Sequence, residues 1–364
     1  MKIKEITSYL EHLAPLYLQE DYDNSGLQVG DIDKELTSVL LCLDVTKAVV
    51  DEAISLGANM IISHHPMIFK GVKSLRPGRD LDDMIIKAIK NDICIYSAHT
   101  NLDSMLGGVS YALADKLGLI DVEPLQISKG KLYKIVVYAP RTHTQSLSDA
   151  IFKTGAGEIG NYSQCSFTVS GEGSFFPKDG AKPYIGKCGE LEILAEDKIE
   201  VLAKDVELSA VVEAIKQNHP YEEPAYDILE VEQKYTKSAL GVVGYLPNPM
   251  TVVSFLAKVK EMTGSGVKYS DFNKELIHKV ALCGGSGSFL IGGASTEGAD
   301  AYLTGDIKYH DFFGYEDRML LADIGHYESE KYTIELIKNF LVEKFGEDIN
   351  INTTKIKTNP INYL

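Results

Sequence analysis

Two adjacent imidazoles, His64 and His65, close the apolar run Ile61-Ile62-Ser63 immediately before Pro66. A proline at that point discourages further pairing or helix, so both rings are expected at the C-terminal end of a strand, the edge of an open α/β sheet where ligands bind. A second segment, Ser97-Ala98-His99-Thr100-Asn101-Leu102-Asp103, follows the apolar run Ile93-Cys94-Ile95-Tyr96 and adds one imidazole and one carboxylate at the same kind of edge. In a third, Asp323-Ile324-Gly325-His326-Tyr327-Glu328-Ser329-Glu330, the spacing of four puts His326 and Glu330 on one helical face. Each segment alone has a structural reading: a hydrogen-bonded histidine pair, a capping aspartate, a solvated first helical turn. Together they are expected to deliver His-His, Asp and His-x-x-x-Glu to one edge of one sheet, which independent accident seldom does.

Three imidazoles and two carboxylates suit borderline divalent ions, with zinc first and manganese, iron or nickel behind it. Five protein ligands exceed the ordinary set of one catalytic ion. Two ions bridged by a carboxylate, roughly 3.5 to 4 Å apart, use them all. His64 and His65 point in different directions on an extended chain, which suits one ring per ion. His99 and His310, the latter in Thr304-Gly305-Asp306-Ile307-Lys308-Tyr309-His310, are the candidates for proton transfer or substrate contact. The run Cys283-Gly284-Gly285-Ser286-Gly287-Ser288 lies between a strand and a helix, where backbone N–H groups could hold a phosphate, although it fits neither the P-loop nor the dinucleotide spacing and reads equally well as a tight turn. His219-Pro220-Tyr221-Glu222-Glu223-Pro224 reads as a rigid turn without chemistry.

The elements that must position these groups alternate. From residue 38, SVLLCLDV, KAVVDEAISLG and ANMIISHH read as strand, helix, strand, and LDDMIIKAIKND followed by ICIYSAH continues the pattern. Near the other end, HKVALCGG, ADAYLTGD and RMLLADIGH are short apolar strands and SEKYTIELIKNFLVEKF is an amphipathic terminal helix. The expected fold is α/β, a mostly parallel sheet with helices on both faces. Between residues 128 and 233 the order changes to β-α-β-β-α-β, a ferredoxin-like α+β unit whose ends can emerge side by side. The expected organisation is therefore a discontinuous metal-binding domain, residues 1–127 and 234–364, interrupted by an inserted domain, residues 128–233.

With 364 residues and 45% hydrophobic content the chain can bury more than one core. The absence of an apolar run near 18 residues disfavours a membrane span. The N-terminal segment lacks the apolar stretch of a secretory signal. The odd, scattered Cys42, Cys94, Cys165, Cys188 and Cys283 favour free thiols in a reducing cytoplasm. A net charge of -16, with no basic cluster, disfavours nucleic acid as partner. A small anionic substrate such as a nucleotide stays compatible, because bound cations reverse the local field.

The motifs SHHP, SAHTNLD, CGGSGS, TGDIKYH and GHYESE, in this order, resemble the NIF-three-like family, often labelled GTP cyclohydrolase I type 2 homologues. The resemblance spans nearly the whole chain, and HPYEEPAYDI is similar to the PII/CutA-like domain inserted in longer bacterial members. It implies a dinuclear metal site held by His64, His65, Asp103, His326 and Glu330, with His99 and His310 nearby, and assembly as a homohexameric ring. One departure is Ser110-Tyr111, where Asn-Asp would be expected. The function expected is a metal-dependent hydrolase acting on a nucleotide, as a GTP cyclohydrolase does, or on a phosphoester. The alternative is a non-catalytic metal-binding or sensing scaffold acting through oligomer and partner contacts.

Overall fold

The apolar runs fold into short strands buried on both faces. In the computed structural model, which describes residues 1–363, Val39–Cys42, Met60–Ser63 and Cys94–Ser97 bury every side chain, the pattern of parallel strands covered on both sides. They pair in parallel, Val39 beside Met60 and Met60 beside Cys94. Ile351–Thr353 extends the sheet in parallel beyond Val39–Cys42, and Gly26–Val29 closes the other edge antiparallel to Cys94–Ser97.

The connecting helices carry their own stop and start signals. Lys47–Leu56 begins at Thr46, whose hydroxyl accepts the Val49 N–H, and ends at Gly57, whose φ of 66° is the left-handed turn that glycine adopts without penalty. Its apolar side, with that of Asp80–Lys90, covers one face of the sheet through Val49, Val50, Ala53, Ile85 and Ala88. Helices Ile3–Leu13 and Thr333–Phe345 cover the other through Ile3, Ile6, Leu10, Ile337 and Leu341.

A second sheet carries the remaining sequence. Leu276–Ser286, Ala301–Gly305 and Leu320–Asp323 are parallel neighbours, flanked antiparallel by the end of Tyr226–Thr251 on one side and by Lys268–Tyr269 on the other. The expectation of one sheet is thus corrected: the third motif belongs to a different sheet from the first two. Periodicity identifies a strand and its burial but not its hydrogen-bonding partner, and strands of similar composition sort into either sheet. The terminal helix is also two pieces, His326–Glu330 and Thr333–Phe345, where one was expected.

The chain divides into two compact units, one formed by Met1–Ile127 with the segment from Ser238 onward, the other by Ser128–Lys237. The long strands Ile120–Pro140 and Tyr226–Thr251 carry the chain from one to the other. In the second unit the elements run strand, helix Thr144–Phe152, strands Ser166–Phe175 and Glu192–Lys204, helix Leu208–Asn218, strand, the β-α-β-β-α-β order. Counting the four strands along the chain, their order across the sheet is 2-3-1-4, which is the ferredoxin-like arrangement. Both helices pack Leu147, Ile151, Val211 and Ile215 onto Ile135, Val137, Ile199 and Val201, and Ile199, Val201 and Ala203 alternate with less buried neighbours as in a sheet covered on one face.

Among the described residues no helix is long and apolar enough to cross a membrane. All five cysteines are free; Cys42, Cys94 and Cys283 are buried, Cys165 is half-buried and Cys188 exposed.

Candidate metal centre

Within the first unit, the C-terminal ends of strands from both sheets face one cleft of about 560 Å³, lined by His65, His99, Asp103, His326 and Glu330 among others. Met60–Ser63 is followed directly by His64 and His65. Cys94–Ser97 leads into the single turn Thr100–Asp103. Leu320–Asp323 leads through Gly325 into His326–Glu330, so the helical spacing brings His326 Nε2 to 3.1 Å from Glu330 Oε2.

Each imidazole is oriented by its outer nitrogen. His64 Nδ1 lies 2.7 Å from the Ala98 carbonyl oxygen, His65 Nδ1 2.7 Å from Asp44 Oδ1, and His326 Nδ1 2.7 Å from Asp306 Oδ2. An Nδ1–H donor to an oxygen leaves the Nε2 lone pair for the cleft, the arrangement metal-bound histidines ordinarily have. Asp44 is itself held from behind by the Thr358 hydroxyl at 3.0 Å. His65 Nε2 lies 2.9 Å from Glu330 Oε2 and 3.3 Å from His326 Nε2.

Among the buried side-chain polar atoms without a hydrogen-bond partner are His64 Nε2 and Asp103 Oδ1, both from the expected ligand set. They stand 3.7 Å apart, and Glu330 Oε1 is 3.6 Å from the same His64 nitrogen, too far for hydrogen bonds. Leaving such atoms unsatisfied costs about 1–3 kcal/mol each. An imidazole nitrogen and carboxylate oxygens that converge at separations too long for hydrogen bonds are a donor set for a cation, and these residues fit a divalent metal ion. By distance alone, His64, His65 and His99 form one group able to hold an ion and His65, His326 and Glu330 another. Asp103 falls outside both and His99, expected beyond the ligands, falls inside one.

The electrostatics describe a site short of positive charge. Burial penalises a protonated His65, but hydrogen bonds to Asp44 and Glu330 outweigh it and push the ring up to about 10. The hydrogen bond to Glu330 pushes His326 up to about 9. Burial would raise Glu330, yet its histidine partners hold it well below the usual carboxylate range. Asp103 is raised by burial and by the charge of Glu330. Burial drives the neighbouring Cys283 thiol up to about 12, so it stays protonated and is a poor nucleophile or ligand.

Three contributors escaped sequence reasoning. Asp306 follows the strand Ala301–Gly305 directly and Asp44 follows Val39–Cys42 after one residue, so the strand-end position that marks the histidines marks them as well. Asp23 sits in a loop with no periodic signal. Its carboxylate is fully covered and holds His99 through Oδ1–Nδ1 at 2.6 Å while accepting from Thr100 N–H and the Ser25 hydroxyl. Burial opposes that charge, but the bonds to His99 and Thr100 prevail and lower the Asp23 pKa.

Two expectations are not met. His310 is exposed in the turn Tyr309–Phe312, packs beside Tyr309 and Phe313, and does not line the cleft. The strand before it ends at Gly305, and Asp306 at that end points to His326 instead. The Cys283–Ser288 run does not offer a free phosphate cradle either. Gly284 N–H donates to Ser110 Oγ, Gly285 N–H to Ser329 Oγ and Gly287 N–H to Thr304 Oγ1. Ser110, the first residue of the Ser110-Tyr111 departure, thus serves the loop behind the site.

The sequence profile of Duf34/NIF3 (NGG1p interacting factor 3) matches residues 1–360. Among relatives, a GTP cyclohydrolase 1 type 2 homolog of Halalkalibacterium halodurans is 39% identical, the match covering 99% of this chain and 98% of that protein. One of Bacillus subtilis is 40% identical, with 99% and 98% covered. A Bacillus cereus protein related to NIF3 superimposes with a TM-score of 0.77 at 36% identity, covering 100% of this chain and 99% of that one. With the match running through both units and every motif that lines the cleft, this chain belongs to the Duf34/NIF3 family.

Proposed function

We infer that the protein is a metal-dependent hydrolase acting on a nucleotide, as the name shared by its relatives suggests, or on a related phosphoester. The observation that carries the reading is the pair of buried, unpartnered donor atoms His64 Nε2 and Asp103 Oδ1, 3.7 Å apart, beside a cleft that Asp103, His65, His326 and Glu330 line. His64, His65, Asp103, His326 and Glu330 are the residues that would hold two divalent ions, with zinc first. Such ions supply hydroxide at neutral pH and charge to meet an anion.

The protein's own side chains account for the rest. Among the described residues lining the cleft there is no lysine or arginine, so phosphate recognition depends on the bound cations. Tyr22, Phe69 and Phe289, all substantially exposed, line it as well, giving a heterocyclic base apolar faces to stack on. His99 is the group for proton transfer: Asp23 fixes its Nδ1, leaving Nε2 to exchange a proton with substrate or water.

Turnover of GTP and a phosphoester panel by metal-reconstituted protein tests the reading, and no turnover by any of them counts against it, favouring the scaffold alternative. Asp23→Asn is expected to lower kcat by about 10²-fold, the lower range for a positioned acid–base group, with native metal content. An unaltered kcat removes the Asp23–His99 pair from the mechanism, and loss of metal would make His99 a ligand instead.

A further inference from the structure

The His219–Pro224 turn, expected to be rigid and without chemistry, forms one wall of a separate cavity of about 280 Å³ inside the second unit. His219 is buried and both its nitrogens are committed: Nε2 lies 2.8 Å from the Tyr138 carbonyl oxygen, and Nδ1 accepts the Tyr221 N–H. Its ring packs 4.8 Å from that of Tyr221, whose hydroxyl donates to Glu196 Oε1 at 2.8 Å. Tyr221 is therefore fixed at both ends. Around it stand Phe175 at 6.0 Å and Tyr184 at 6.3 Å between centroids, tilted by 56° and 48°. The segment carrying Tyr184 is itself tied down, with Lys182 N–H donating to Glu222 Oε1 and Gly189 N–H to the Pro177 carbonyl.

Charge selects what such a cavity takes. Its lining contains the carboxylates of Glu196, Glu222 and Glu223 against the single ammonium of Lys182. Glu196 and Glu222 each use one oxygen on the wall, whereas Glu223 has no hydrogen bond or ion pair among the described residues. Anions are repelled. A bare divalent ion has no seat, because no group of ligating atoms at metal spacing occurs here among the described residues. Tilted aromatic rings lining a void, with a surplus of carboxylates in the same lining, attract an organic cation through the negative ring faces and the acidic charge. The volume limits it to a small one.

We propose that this cavity, formed by Phe175, Tyr184 and Tyr221 with Glu196 and Glu223, is a binding site for a small methylated or quaternary ammonium compound. The site is independent of the metal centre and of any hydrolytic activity.

The test is calorimetric titration of the full-length protein with choline and with tetramethylammonium, beside 3,3-dimethylbutan-1-ol, the uncharged carbon counterpart of choline. At least one of the two cations is expected to bind one per chain, with the alcohol at least about tenfold weaker. Tyr184→Ala and Glu223→Gln, both at exposed positions, are each expected to weaken the cation by about three- to tenfold, and Tyr184→Phe to restore it. An unchanged thermal midpoint in each variant separates loss of binding from loss of fold. No binding of either cation, equal binding of the alcohol, or affinity indifferent to both Tyr184→Ala and Glu223→Gln would overturn the proposal.

Discussion

Glu330→Gln is expected to lower metal affinity by more than about 100-fold, because even a residue one step removed from a metal ordinarily accounts for 10- to 100-fold. Glu330 is 2% exposed and faces His64 through Oε1 and His65 and His326 through Oε2. The amide preserves volume but removes the charge and turns one oxygen into a donor aimed at nitrogen. In the metal-free protein the same change removes the anion that keeps the His65 and His326 rings protonated above their ordinary range. That contribution to stability is present below the ordinary histidine pKa and fades as pH rises through about 9 to 10. The loss in Glu330→Gln should therefore be larger at pH 6 than at pH 10.5, read by urea denaturation of the chelator-treated protein. Native metal affinity in this variant would remove Glu330 from the ligand set.

A methyl group behind the site should be nearly as damaging. Gly285 has φ of +65°, and a Cβ there would lie 2.1 Å from Glu330 Oε1. Gly285→Ala therefore combines left-handed backbone strain of about 1–2 kcal/mol with displacement of the Glu330 carboxylate from its place facing His64, His65 and His326. Metal should be lost together with about 1–3 kcal/mol of stability, the usual cost of overpacking. Gly292 provides the control. It lies in the helix Ile291–Thr296, where an added methyl carbon would meet nothing within 4 Å, so Gly292→Ala should be neutral or stabilising by up to about 1 kcal/mol. Full metal content in Gly285→Ala would mean that Glu330 can relocate without consequence.

The parts of this architecture legible in the sequence are those that depend on local pattern. Runs such as VLLC and MIIS are long enough for one buried strand and too short for a helix. The β-α-β-β-α-β order of the second unit can be read from the alternation between two-residue and helical periods. His326 and Glu330 meet because the helix repeat makes them neighbours, whatever the surrounding fold. Partnership across space is less legible. Which sheet a strand joins depends on its neighbours' edges, so the two halves of the metal centre read as one sheet although each comes from its own. His310 follows a strand, as the candidate ligands do, yet turns outward, and the Cys283–Ser288 run, which closes the strand Leu276–Ser286, commits the N–H groups of Gly284, Gly285 and Gly287 to Ser110, Ser329 and Thr304. Asp23 reaches His99 across 76 positions of chain, a pairing that no local period encodes. The aromatic cavity escaped for the same reason, since Phe175, Tyr184 and Tyr221 meet only through tertiary packing.

The measurement that bears most directly on the metal centre is elemental analysis of the protein after reconstitution and removal of loosely held ions, native beside Asp103→Ala. Two divalent ions per native chain, falling to one or none in the variant while the fold persists by circular dichroism, is the result predicted. A native chain that retains no metal would contradict the account, because His64 Nε2 and Asp103 Oδ1 would then be buried without a partner for no purpose.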